Sequence, residues 1–277
     1  MLDDLELLYR QHLTEADRRL LAQAVGGGVP VAVALGDPRV ERSVFIDPPE
    51  ERGLAQTSPF LTFAVAVHRT AAWLETASYV EERWAPHRTI PLFDVTTLRE
   101  LLADGAVRFF LVELLASYTH VASGSVWERT RRGWRRRRFS ELDPVRLAGL
   151  LEVVNAAERA GVYRRLGDLA LFLTGVFPER PAAEELGGAS AGRLRRLAGL
   201  PGSAADGPAG GELLELLGSR WYRLAAASVR SHGSPSTPAL SVIERVGERF
   251  SETRRVLNTV TDRYLYPVRD RWFGSGS

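Results

Sequence analysis

Residues 238–265 read PALSVIERVGERFSETRRVLNTVTDRYL. Leu240, Ile243, Val246, Phe250, Val256, Val260 and Leu265 recur there at helical spacing, with charged residues between them, which predicts one long amphipathic helix. Its start is written in the preceding Thr237-Pro238. A proline at the first helical position needs no N–H donor, and the threonine oxygen can satisfy a free amide one turn in. Ser58-Pro59 and Asp143-Pro144 carry the same signal before PFLTFAVAVHRTAAWLETASYV and PVRLAGLLEVVNAAERAG, both with apolar residues three and four apart. Further helical stretches are Val95–Ala122, with a break near Asp104-Gly105, then Gly161–Val176, closed by Pro178 and Pro181, and Glu212–Arg230.

At the N-terminus, Leu2, Leu5, Leu8 and Leu13, then Leu20, Leu21 and Val25, keep helical spacing. Thr14 begins a second helix there and Gly26–Gly28 ends it. VPVAVALG (29–36) and RSVFID (42–47) are β-branched runs bounded by Gly, Asp and Pro, which predicts a small β-element, as a hairpin or an extended arm. Residues 184–211 are rich in Gly, Ala, Ser and Pro and read as a flexible surface excursion. The expected fold is therefore mainly α: a helical bundle over 58–273 with a protruding β-hairpin near 126–139. It is preceded by N-terminal helices and an extended segment over 1–57. GSGS (274–277) reads as an appended tail.

The 277 residues contain no cysteine, which excludes disulfides, thiolate nucleophiles and cysteine metal ligands. All 36 basic residues are arginine, so neither a Schiff-base lysine nor a Walker-type phosphate lysine exists here. MLDDLELLYRQHL begins acidic and lacks the pattern of a secretory signal. The most apolar segments are interrupted by His68 and Arg69, or by Arg108, Glu113 and His120, so no membrane span is expected and the location read is cytoplasmic.

Charge is focused in one place. Trp127–Phe139, WERTRRGWRRRRF, holds seven arginines and one glutamate, a net +6 in a chain of +2 overall, leaving −4 for the remainder. Gly133 at its centre argues against a helix. Folding at Arg132-Gly133 gives a hairpin with Arg131 opposite Trp134, Arg129 opposite Arg136 and Trp127 opposite Arg138. On the other face Thr130 meets Arg135, Glu128 meets Arg137 and Val126 meets Phe139. The candidate anion-binding residues are Trp127, Arg129, Arg131, Trp134, Arg135, Arg136, Arg137 and Arg138. Arginines would contact phosphates while the tryptophans stack or brace the ribbon. The competing structural reading is a clamp onto some of the 34 carboxylates of the same chain.

Three functional classes follow. The leading one is a non-enzymatic accessory protein that binds a polyanion, DNA or RNA, through the hairpin. The second is an adaptor docking an acidic protein, or a self-associating scaffold. The third is an enzyme with a bundle-core site at Tyr118, His120, Tyr163 and Asp168. No catalytic residue, cofactor or metal is assigned. His12, His68, His87, His120 and His232 lack metal-ligand spacing, although Glu113 and His120 stand two helical turns apart. Trp221-Tyr222, between Arg220 and Arg223, is either a second stacking site or, by the simpler reading, a core anchor.

SPFLTFAVAVHR, YRRLGDLALFLTGVFPER, LGSRWYRLAA and ERFSETRRVLNTVTDRYL together resemble a family of uncharacterised bacterial α-helical proteins. The resemblance runs from Ser58 to the C-terminus and implies a helical fold. It implies no activity, substrate or cofactor. Arg165 stands where some members of that family carry histidine before the leucine- or isoleucine-glycine-aspartate triplet.

Overall fold

The computed structural model describes residues 2–46, 57–85, 88–119, 123–130, 133–140, 142–178, 188–200, 210–231, 237–267 and 269–273. They are mainly helical. The chain divides into two compact units, one built from the sequence up to Thr119 and again from Glu252, the other from His120 to Ser251.

The first unit begins with α1 (Leu2–His12) and α2 (Glu15–Val25), then α3 (Val31–Leu35) and α4 (Pro38–Glu41), which runs into a π-helical turn at Arg42–Ile46. Next come α5 (Pro59–Leu74), the strands β1 (Val80–Ala85) and β2 (Arg88–Leu92), α6 (Val95–Ala103) and α7 (Gly105–Ser117). Helix α5 is apolar nearly all round: Leu61 and Phe63 through Val67 are fully buried. Such a helix is stable only with neighbours on every side. Its start is fixed by Ser58, whose hydroxyl accepts from the Leu61 amide at 3.0 Å. The Ser58 amide donates to Asp17 Oδ1 at 3.0 Å, while Asp17 Oδ2 accepts from the Thr14 amide at 2.9 Å. One buried carboxylate thus joins the capped ends of α2 and α5.

The C-terminal part of this unit is attached by polar side chains. Glu41 accepts from Arg69 Nε at 2.6 Å and from the Tyr264 hydroxyl at 3.0 Å. Arg263 lies 4.2 Å from the centre of the Trp73 ring. Glu82 on β1 pairs with Arg254 and, at 3.3 Å, with Arg255.

No β-element occurs at 29–36 or 42–46, where one was expected. Val31, Ala34, Leu35, Val40 and Val44 are all buried, and their spacing supplies one inward face only if the backbone is helical. Burial here overrides β-branched propensity. Glu6 accepts from the Val31 amide at 2.8 Å and so caps α3 from α1. Asp37-Pro38 is a further copy of the capped-proline signal, with the Asp37 carboxylate accepting from the Arg39 amide at 2.8 Å. The β1–β2 pair, from Val80 opposite Leu92 to Ala85 opposite Arg88, was not anticipated.

The second unit holds β3 (Ser123–Thr130), β4 (Gly133–Ser140), α8 (Pro144–Gly149), α9 (Arg159–Val176), α10 (Gly188–Leu197), α11 (Gly210–Ser231) and α12 (Pro238–Glu248). From Leu166 to Val176 every residue of α9 is buried. Glycines set how closely α9, α11 and α12 approach. A Cβ at Gly218 would fall 2.3 Å from Phe250, one at Gly247 would fall 2.8 Å from Tyr222 Cβ, and one at Gly167 would fall 2.8 Å from the Tyr222 ring. The long helix expected over 238–265 is therefore interrupted. Arg249, at φ −109° and ψ 42°, separates α12 from α13 (Phe250–Val260), which a π-helical turn follows at Thr261–Leu265. A last short helix, α14, spans Arg269–Phe273.

Within the expected flexible excursion, α10 buries Ala191, Leu194 and Arg195; residues 184–187 and 201–209 lie outside the described residues. The capping reading fares better, because Ser58, Asp143 and Thr237 each accept from an amide one turn in.

Gly218→Ala should lower unfolding free energy by about 1–3 kcal/mol, the usual cost of overpacking a filled core. Gly161→Ala, where nothing lies within 4 Å of the added carbon, should instead stabilise by roughly 0.5–1 kcal/mol through helix propensity. Urea melts of the two variants beside the wild type measure both.

Candidate functional site

Strands β3 and β4 pair antiparallel from Ser123 opposite Ser140 to Thr130 opposite Gly133. Arg129 stands opposite Trp134, Trp127 opposite Arg136, Glu128 opposite Arg135 and Val126 opposite Arg137. This corrects the expected register, in which every residue of β3 met a partner two positions further along β4. The expected register set Arg129 directly across from Arg136, and like charges facing one another across a ribbon are destabilising. In the structure Gly133 is a strand residue opposite Thr130, whereas the expected register placed it in the turn.

The face membership survives the slip, because a two-residue shift preserves the alternation of a strand. Positions 127, 129, 134, 136 and 138 share one face, which carries Trp127, Arg129, Trp134, Arg136 and Arg138 and no acidic residue. Positions 128, 135 and 137 share the other, so the single glutamate stands opposite Arg135, with Arg137 beside them. Arg131 lies outside the described residues.

The other residues singled out in the sequence have surroundings of their own. Asp168 accepts from the Tyr222 hydroxyl at 2.8 Å and lies 3.8 Å from Arg164 Nε. Trp221 and Tyr222 are fully buried, which removes them as a surface for stacking a ligand. Tyr118 belongs to the first unit, whereas Tyr163 and Asp168 belong to the second. His120 lies outside the described residues, as do His87 and His232, and Glu113 instead stands 3.7 Å from His12 Nε2. Among the described residues no cluster of His, Asp and Glu has the geometry of a metal site.

What the sequence did not signal is a buried polar cluster at the heart of the first unit. Tyr9 on α1 meets His68 on α5 at 2.9 Å from hydroxyl to Nε2. Burial, and secondarily the neighbouring Arg108 charge, depress the imidazole pKa to about 3, while the backbone of Ala32 supplies its other partner. A neutral ring therefore accepts from the tyrosine through Nε2. Burial likewise raises the Tyr9 pKa, so the phenol keeps its proton. Arg108 on α7 donates through Nη1 to the carbonyls of Leu102 and Ala103 at the end of α6. Beside this cluster lies a cleft of about 220 Å³. Tyr9, His68 and Arg108 come from three helices far apart in the chain, so no local spacing could have announced them.

No family model matches the chain, and neither a curated protein nor a solved structure matches it.

The depressed imidazole makes stability depend on pH. The unfolded chain takes up a proton below the ordinary value of 6.5 and the folded chain only near 3. The contribution of His68 is thus complete above pH 6.5 and is lost as pH falls toward 3, on the order of 1 kcal/mol per pH unit. His68→Gln keeps an acceptor for Tyr9 without a titrating group. Urea melts between pH 7 and 4 should show an acid-side slope shallower in the variant by that amount.

Proposed function

We propose that this protein is a non-enzymatic accessory factor that binds a polyanion, nucleic acid, through the β3–β4 ribbon. The observation that carries the reading is the distribution of charge across the pairing register. One face gathers Arg129, Arg136 and Arg138 with Trp127 and Trp134 and no carboxylate, while the single glutamate of the segment falls on the other face. Guanidinium groups contact phosphates as planar forks, and aromatic rings between them offer platforms for bases. The rest of the chain carries a net −4, so the favourable charge for a polyanion is focused in the ribbon segment.

Fluorescence anisotropy with labelled single-stranded DNA, duplex DNA and RNA across a salt series tests this. Wild type should bind with a steep salt dependence. Changing Arg129, Arg136 and Arg138 together to Gln should flatten the slope of log K against log salt by about 2–3, since each phosphate contact contributes roughly 0.7–0.9. Changing Arg135 and Arg137 to Gln should have the smaller effect. A folded wild type that binds none of the three at low salt refutes the reading, and binding to polyglutamate in their place transfers the ribbon to an acidic protein partner.

A further inference from the structure

Arg108 presents an electrostatic anomaly. Its guanidinium is half-buried, its Nε is shut off from solvent without a hydrogen-bond partner, and burial lowers its pKa. Its bonding partners are neutral: the carbonyls of Leu102 and Ala103. Tyr9 and His68, which feel its charge, are held neutral by the same burial. Among the described residues no carboxylate pairs with it. A cation taken partly out of water without a counter-charge costs several kcal/mol in general, and proteins normally supply one.

The cleft beside it offers room for that counter-charge. It lies between α5, α6 and the start of α7, and His68, Glu75, Arg99 and Arg108 line it together with Ala71 and Ala72. Arg99 spends Nε and Nη2 on the Leu74 carbonyl, at 3.1 and 2.9 Å, and lies 3.7 Å from Glu75. With His68 neutral, two arginines and one glutamate leave the cleft at +1, which suits a monoanion better than a dianion. Its volume of about 220 Å³ falls below the roughly 300 Å³ at which pockets begin to hold drug-sized ligands. The alanines give a short apolar wall beside the charged end.

We propose that this cleft is a binding site for a small monocarboxylate with a compact apolar body, held by Arg108 with Arg99 at the rim. The carboxylate fork matches a guanidinium in two parallel hydrogen bonds. A nucleotide is too large and too highly charged for the space, so this site is separate from the ribbon and from the polyanion reading.

Isothermal titration calorimetry with propionate, benzoate and inorganic phosphate at pH 7 tests the proposal on the full chain. Saturable binding of a carboxylate, tighter than phosphate, is expected. Arg108→Gln should weaken it by about tenfold or more while keeping a donor for the Leu102 carbonyl. Ala72→Leu narrows the cleft without touching any charge and should weaken binding in a protein with wild-type circular dichroism. It decides the matter if Arg108→Gln does not fold. No saturable heat from either carboxylate at millimolar concentration overturns the proposal, as does preference for phosphate or unchanged affinity in Ala72→Leu. Nucleic-acid binding should be the same in Ala72→Leu and wild type, which keeps this outcome apart from that of the ribbon.

Discussion

The first unit depends on the carboxylate of Asp17, 1% exposed and shared between two helix starts. One oxygen closes the capping box with Thr14, and the other receives the amide of Ser58, the residue that caps α5. Buried carboxylates are stable only when their lone pairs are filled, and here both oxygens are filled by otherwise orphaned backbone donors. The consequence is positional. With α5 anchored at its first residue, His68 comes to Tyr9 and Arg69 comes to Glu41 and the Gly36 carbonyl. Glu41 in turn holds Tyr264 from the far end of the sequence. A chain of polar contacts therefore runs from one cap to both ends of the unit, around a helix that is itself almost wholly apolar.

The second unit relies on shape in place of charge. Gly167, Gly218 and Gly247 stand where Tyr222 and Phe250 press against neighbouring helices, and the aromatic rings occupy the volume that side chains at those positions would need. Asp168 and the Tyr222 hydroxyl then close a hydrogen bond within the same contact. The break at Arg249 follows from this packing. Phe250 must reach Gly218 while Gly247 lies against Tyr222, and the backbone turns at Arg249, between them.

Helical periodicity and capping chemistry were legible in the sequence because both are local. Ser58, Asp143 and Thr237 announce helix starts through atoms within four residues of one another. The segments at 29–36 and 42–46 were misread because β-branched composition describes a residue's preference and not its neighbours. Val31, Ala34 and Leu35 are helical since α1 and α5 lie beside them. Pairing in the ribbon was legible as to face, yet not as to partner. Alternation is a property of one strand, whereas register is decided by what stands across it. The Tyr9–His68–Arg108 cluster lay beyond local reading altogether, since its members are joined only by the packing of α1, α5 and α7.

The absence of lysine bears on how arginine should be weighed. In the helical body, arginines work mainly as forks that reach two acceptors at once. Arg69 serves Glu41 and the Gly36 carbonyl, Arg99 the Leu74 carbonyl beside Glu75, and Arg18 the carbonyls of Arg10 and Leu13. An ammonium lacks the planar fork needed to do the same. Arginine abundance is thus largely accounted for by helix ends and acids, and abundance alone says nothing of an external anion. The informative arginines are those whose surroundings supply no acceptor of opposite charge. Among the described residues Arg108 meets that criterion, since its partners are the neutral carbonyls of Leu102 and Ala103.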